Sequence, residues 1–172
     1  MRYFRIFDDY ELEASFTRET VEGRYRVDVS ENAAWPHFMT GGALLVSGAF
    51  LRALESAGVT PCEAEPVSLV DARTGHARDG YFELKVLASR QAADLRGSTF
   101  DVLMEGSDDG TIPPTLAFTE VVLEAGRVGG SKMFRLAEDP TVLVIDETVR
   151  DALVAHRPAE GWGVILEELE AR

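Results

Sequence analysis

Two stretches far apart in the chain carry the same order of apolar and polar positions. "ALLVSGAFLRALESAG" at 43–58 and "VLVIDETVRDALVAHR" at 142–157 superpose when one is slid by 99 positions, with Val46 on Ile145, Ser47 on Asp146, Phe50 on Val149 and Leu54 on Leu153. Each begins as an apolar run of strand character. Ser47 and Asp146 then stand where a side-chain oxygen can accept from the free N–H groups of a starting helix. Phe50, Leu51 and Leu54, like Val149, Ala152 and Leu153, fall on one side at helical spacing. Gly58 and Pro158 mark the ends of the two helices. Helices this short are unstable alone in water, so the pattern predicts that both dock their apolar faces on something larger.

That larger element is predicted to be a sheet. "VSLVD" at 67–71 and "YFELKVL" at 81–87 read as strands, the second alternating Phe82, Leu84 and Val86 with Glu83 and Lys85. "RTGHARDG" between them has the glycines of a hairpin loop, and "LAFTEVVLEAG" at 116–126 alternates but changes face, as a bulged strand does. "EGSDDGTIPP" before it is turn-forming throughout and is expected to be exposed. The expectation is therefore an α+β fold: a largely antiparallel sheet with two short strand-helix-strand units packed on it. The chain is expected to form one domain, 1–172, with residues 126–131, rich in glycine, as the candidate for a flexible joint.

Composition narrows the setting. The 172 residues are 45% apolar and 27% charged, in line with a chain that builds its own core. A single cysteine, Cys62, excludes an internal disulfide and fits a reducing compartment. "MRYFRIFDDYELEAS" interrupts its aromatic residues with charges and lacks the apolar stretch of a signal peptide, and no run reaches the about 18 apolar residues of a membrane helix. These features lead to the expectation of a cytoplasmic protein with no membrane partner. Thirty acids against 17 basic residues give a formal charge of -13, which repels nucleic acid and favours encounter with basic proteins. An acidic surface also serves solubility.

Reactive groups are sparse. Cys62 sits in "VTPCEAEP", whose acids disfavour a thiolate. His37, His76 and His156 are isolated, with no metal-ligand spacing between them. Ser47 lacks the glycine that a nucleophile elbow places two residues before its serine, and its counterpart is an aspartate, so the pair argues for capping. "GRVGGS" matches no nucleotide-binding loop. "EGSDDG" resembles the start of a calcium loop, but Leu116 occupies the place of the bidentate glutamate. No cofactor, no metal and no catalytic residue is expected, and basic patches with interleaved aromatics are missing.

"LLVSGAFLRALESAG", "EPVSLVD", "YFELKVLASRQAADL" and "KMFRLAEDPTVLVIDETVRDALVAHRPAEGWGVILEEL" together resemble the bacterial immunity-protein family numbered eleven among polymorphic toxin immunity proteins, over roughly residues 40–170. The resemblance implies a cytoplasmic protein that binds and neutralises a cognate toxin domain and transfers no catalytic residues. An acidic inhibitor suits a basic target such as a nuclease, whose phosphate-binding groove carboxylates can occupy. The candidate contacts are the acids Asp108, Asp109, Glu167, Glu168 and Glu170, with Trp35 and Phe38 as apolar anchors. For the acids the alternative is a solvated face, and for the two aromatics a place in the core. The competing functions are a regulatory or scaffold protein without a toxin partner and a hydrolase with an unrecognised carboxylate site. Nothing in the sequence sets the oligomeric state.

Overall fold

In "RYRVDV", Tyr25, Val27 and Val29 are buried while Arg24, Arg26 and Asp28 face water, the period of two that a strand imposes. Many other segments are extended as well. The computed structural model describes residues 1–9, 14–19, 23–29, 34–60, 62–107 and 109–172. Its elements run β1 (Tyr3–Asp8), β2 (Ala14–Arg18), β3 (Arg24–Val29), β4 (Phe38–Met39), β5 (Leu45–Ser47), α1 (Gly48–Ser56), β6 (Cys62–Asp71) and β7 (Ala77–Val86). They continue with β8 (Ser89–Arg90), β9 (Thr99–Met104), β10 (Thr115–Glu120), β11 (Val122–Leu123), β12 (Met133–Leu136), β13 (Leu143–Asp146), α2 (Glu147–Ala155) and β14 (Val164–Ala171).

This corrects the expected α+β class. Among the described residues the fold is mostly β, with 47% in strands and 13% helical, most of that in two helices. Instead of one sheet, the described residues form two of six strands, ordered β2-β3-β6-β7-β5-β4 and β11-β14-β1-β13-β12-β8, and a separate β9–β10 hairpin. The physical reason is that the helices are only nine residues each, while the strands around them are longer or more numerous than their apolar runs suggest. β13 buries all four of its residues and so shows no alternation.

The sheets form layers. The first turns Phe38, Val46 and Leu84 toward the helices, and the second turns Phe4, Ile6, Leu143 and Ile145 toward the same core. Phe50, Leu54, Val149 and Leu153 from α1 and α2 fill the space between. Leu45, Tyr81 and Tyr25 on the first sheet's outer face make a second core, and Tyr3, Val144 and Phe134 on the other sheet's outer face make a third under the hairpin. Phe50 is fully buried, and removing a side chain of this kind from water contributes about 1.5–3 kcal/mol.

Both helix starts are capped: Ser47 Oγ accepts the Phe50 N–H at 3.2 Å and Asp146 Oδ1 accepts the Val149 N–H at 3.0 Å. The last turns are closed by other segments. Lys132 Nζ donates to Ala57 O at 2.6 Å beyond α1, and Trp162 Nε1 donates to Leu153 O at 2.6 Å in α2.

The two sheets repeat one topology with a permutation. In the first, β5 and β6 run parallel with antiparallel β7 between them, β4 borders β5, and parallel β3 borders β6. In the second, β13 and β14 hold the same relation around β1, with β12 and parallel β11 outside. The central strands match in register: Tyr81 and Phe82 lie opposite Ser47 and Val46, as Tyr3 and Phe4 lie opposite Asp146 and Ile145. β7 follows β6 in the chain, whereas β1 arrives from the N-terminus. The first strand of the protein thus completes the C-terminal unit. In the 126–131 stretch, Val128 is buried, and Arg90 donates to Val128 O at 3.1 Å and to Ser131 Oγ at 2.7 Å. Among the described residues no helix is long and apolar enough to cross a membrane.

Candidate functional site

The β9–β10 hairpin begins inside the protein and ends outside it. At its root Leu116 and Phe118 are buried under the second sheet, with Phe100 against Phe118 at a ring distance of 5.5 Å. β10 is fastened along its outer rim: Leu116 N–H donates to Glu138 O at 3.1 Å and Phe118 N–H to Asp139 Oδ2 at 3.3 Å. Asp139 is itself held, its Oδ1 accepting from the Thr141 N–H and hydroxyl. Past Phe100, β9 leaves this support. Val102, Leu103 and Met104 are 53%, 68% and 59% exposed, and Ile112 across the turn is 59% exposed. The hairpin register shifts between Val102 and Met104, and these side chains carry apolar surface into water.

The tip is braced by its own polar groups. Ser107 N–H donates to Ile112 O, Ile112 N–H to Ser107 Oγ, and Thr111 N–H to Asp109 Oδ1, all near 3 Å. Gly106 fits because a Cβ there would collide with the Ile112 carbonyl and Pro114 N. Hydrogen bonds from Ser107 and Thr111 hold the Asp109 carboxyl down at about 2, so the tip carries a fixed negative charge. From Gly97 to Gly126 the sequence has six acids, Asp101, Glu105, Asp108, Asp109, Glu120 and Glu124, and no lysine or arginine.

The candidate contacts read from sequence fall in several places. Asp109 sits at the arm's tip, and Asp108 lies outside the described residues. Glu167, Glu168 and Glu170 are exposed on β14, and Glu170 pairs with Val122 at the root of the arm while accepting Arg172 Nε at 2.8 Å. Trp35 is half-buried on the first sheet, with the Arg78 guanidinium 4.4 Å above its ring and Tyr81 beside it. Phe38 is 1% exposed and packs on Phe50 at 5.3 Å. The sequence reading missed Val102, Leu103, Met104 and Ile112. The signal available was an apolar triplet flanked by Asp101 and Glu105 just before a turn.

One constellation has the composition of a hydrolytic relay. His37 Nδ1 lies 2.7 Å from Ser47 Oγ, and its Nε2 lies 3.2 Å from Glu160 Oε1. A neutral ring that donates to Glu160 accepts the Ser47 hydroxyl at Nδ1. Ser47 is nevertheless buried, and its oxygen already caps α1. The His37 ring also meets Trp162 edge-on at 5.3 Å, so these groups fasten the 36–38 and 160–162 segments to the helix start. Burial, assisted by the Glu55 charge, pushes the Cys62 thiol up and away from reactivity. Among the described residues no three His, Cys, Asp or Glu side chains are grouped to hold a metal ion.

The most distinctive surface among the described residues is thus an apolar, acidic arm. No curated protein is similar enough in sequence to add a named relative. The sequence does match the Immunity protein family (Imm11) over residues 4–170, nearly its whole length, and the chain belongs to that family.

Proposed function

We propose that this protein neutralises a toxin domain by binding it directly and covering its working surface, with the β9–β10 arm as a principal contact. Membership in an immunity family implies a toxin-neutralising role and a cognate toxin partner. The observation that carries the mode of action is the arm: four exposed aliphatic side chains on a braced hairpin whose only charges are negative. Apolar side chains held in water gain free energy when a partner covers them, and carboxylates around them select a partner with a basic rim. A nuclease has such a rim. The acids of β14 at the arm's root, Glu167, Glu168 and Glu170, extend the same negative surface. The protein acts in the cytoplasm of the cell that makes it, as a single domain.

The test is protection together with complex formation. Cells producing a cognate toxin domain should survive when the protein is co-produced, and the two should co-elute at low salt and separate more readily as salt rises. Loss of protection alongside separate elution at low salt would sink the reading.

A further inference from the structure

We infer that the free edge of β9 pairs with an extended, basic segment of the toxin domain, which adds a third strand to the hairpin; this rests on the toxin-binding reading above. Leu116 and Phe118 aim their N–H groups away from β9, toward Glu138 and Asp139. They are therefore the non-hydrogen-bonded members of their antiparallel pairs, and so are their partners Val102 and Phe100. Val102 and Phe100 then turn their own N–H and C=O groups outward, along the rim opposite β10. β10's rim is occupied, whereas no strand among the described residues covers β9's. An apolar strand with an open rim is a template for another chain, and natural proteins blunt such edges with lysine, proline or bulges unless pairing is their use. β9 has neither lysine nor proline, and a register shift against β10 falls between Val102 and Met104, past the outward-facing groups of Phe100 and Val102.

Charge decides the occupant. A second copy of the chain would bring β9 against β9, setting Asp101 and Glu105 among the like charges of a segment with six acids and no basic residue. A toxin strand with lysine or arginine opposite Asp101 and apolar residues opposite Val102 and Met104 satisfies both the rim and the side chains. Backbone pairing supplies attachment, and the alternating side chains supply selectivity.

The experiment compares Val102→Pro with Val102→Ala, using the full chain and an inactivated form of the toxin domain that it neutralises. Proline removes the outward N–H at a position that makes no bond to β10, so the hairpin can keep its own ladder, whereas alanine removes only the side chain. Loss of an edge hydrogen bond with its partner left unsatisfied predicts a roughly hundredfold weaker Kd for Val102→Pro. Val102→Ala should weaken it by about fivefold, from the lost methyl groups alone. Amide hydrogen exchange on the wild-type complex gives the same answer without a variant: Phe100 and Val102 should gain protection when the toxin domain binds. Equal affinities for the two variants, or unchanged exchange at 100–104, would overturn strand pairing while leaving neutralisation intact. A wild-type protein that fails to bind the toxin domain would overturn both. Protection at 100–104 that rises with protein concentration in the absence of toxin would assign the edge to a second copy and overturn the proposal as well.

Discussion

Leu103 and Leu116 lie on facing strands of one hairpin and should behave as opposites. Leu103 is 68% exposed and Leu116 is 3% exposed. Truncating Leu116 to alanine removes a buried side chain and leaves a cavity above the second sheet, a loss of roughly 2–5 kcal/mol in stability. In a chain of this size that corresponds to a fall in Tm of roughly 4–20 °C. Leu103→Ala removes contacts from the buried third of the side chain only, about 0.5 kcal/mol, so its Tm should move by only a degree or two. In the complex the order reverses. Covering the exposed two-thirds of Leu103 contributes about 1–2 kcal/mol, so Leu103→Ala should weaken toxin binding by roughly 5–30-fold. The assays are thermal unfolding of each variant and calorimetric titration with the toxin domain. If Leu103→Ala destabilised the protein as Leu116→Ala does, the arm would not stand in water as described. If it left the Kd unchanged, the arm would not be the contact.

Other predictions concern the frame. Asp146→Ala and Ser47→Ala each remove a helix cap and should cost about 1 kcal/mol by denaturant unfolding, with Ser47→Ala also loosening the 36–38 segment that His37 ties to it. Burial raises the pKa of Glu138, whose Oε2 has no partner, above the usual carboxylate range. Because the folded pKa is the higher one, the charged form lowers stability at neutral pH and the penalty fades as pH falls through that value. Glu138→Gln should therefore unfold at a higher temperature than wild type at pH 7.5, and the gain should shrink toward pH 4. Asp109 has the opposite sign: its folded pKa is depressed to about 2, so the order it gives the tip is present above its unfolded value of about 4 and lost as pH falls toward 2. Asp109→Ala should speed amide exchange at Thr111 at pH 7, and the difference from wild type should narrow in acid.

What the sequence disclosed follows from how local each feature is. Ser47 and Asp146 were legible as caps because a cap depends on the three residues after it. Phe82, Leu84 and Val86 were legible as a strand because alternation is local too, although β7 proved to start at Ala77. The fold class was not legible. It depends on β1 entering between β13 and β14, a pairing across more than 130 residues that leaves no trace along the chain beyond the shared Tyr-Phe of 3–4 and 81–82. The arm was hidden for a different reason. Val102, Leu103 and Met104 read as core by their chemistry, and only the end of the underlying core at Phe100 leaves them in water. The acids were visible as a charge excess, yet which of them border an apolar surface is a property of the folded hairpin.

Stoichiometric occlusion sets a simple titration curve: with toxin at fixed concentration and rising purified protein, toxin activity should fall linearly, reach zero at one equivalent, and return when the complex is separated at high salt. Complete inactivation by a small fraction of an equivalent would mean that the protein turns over as an enzyme, and activity undiminished at several equivalents would mean that the toxin is not its target.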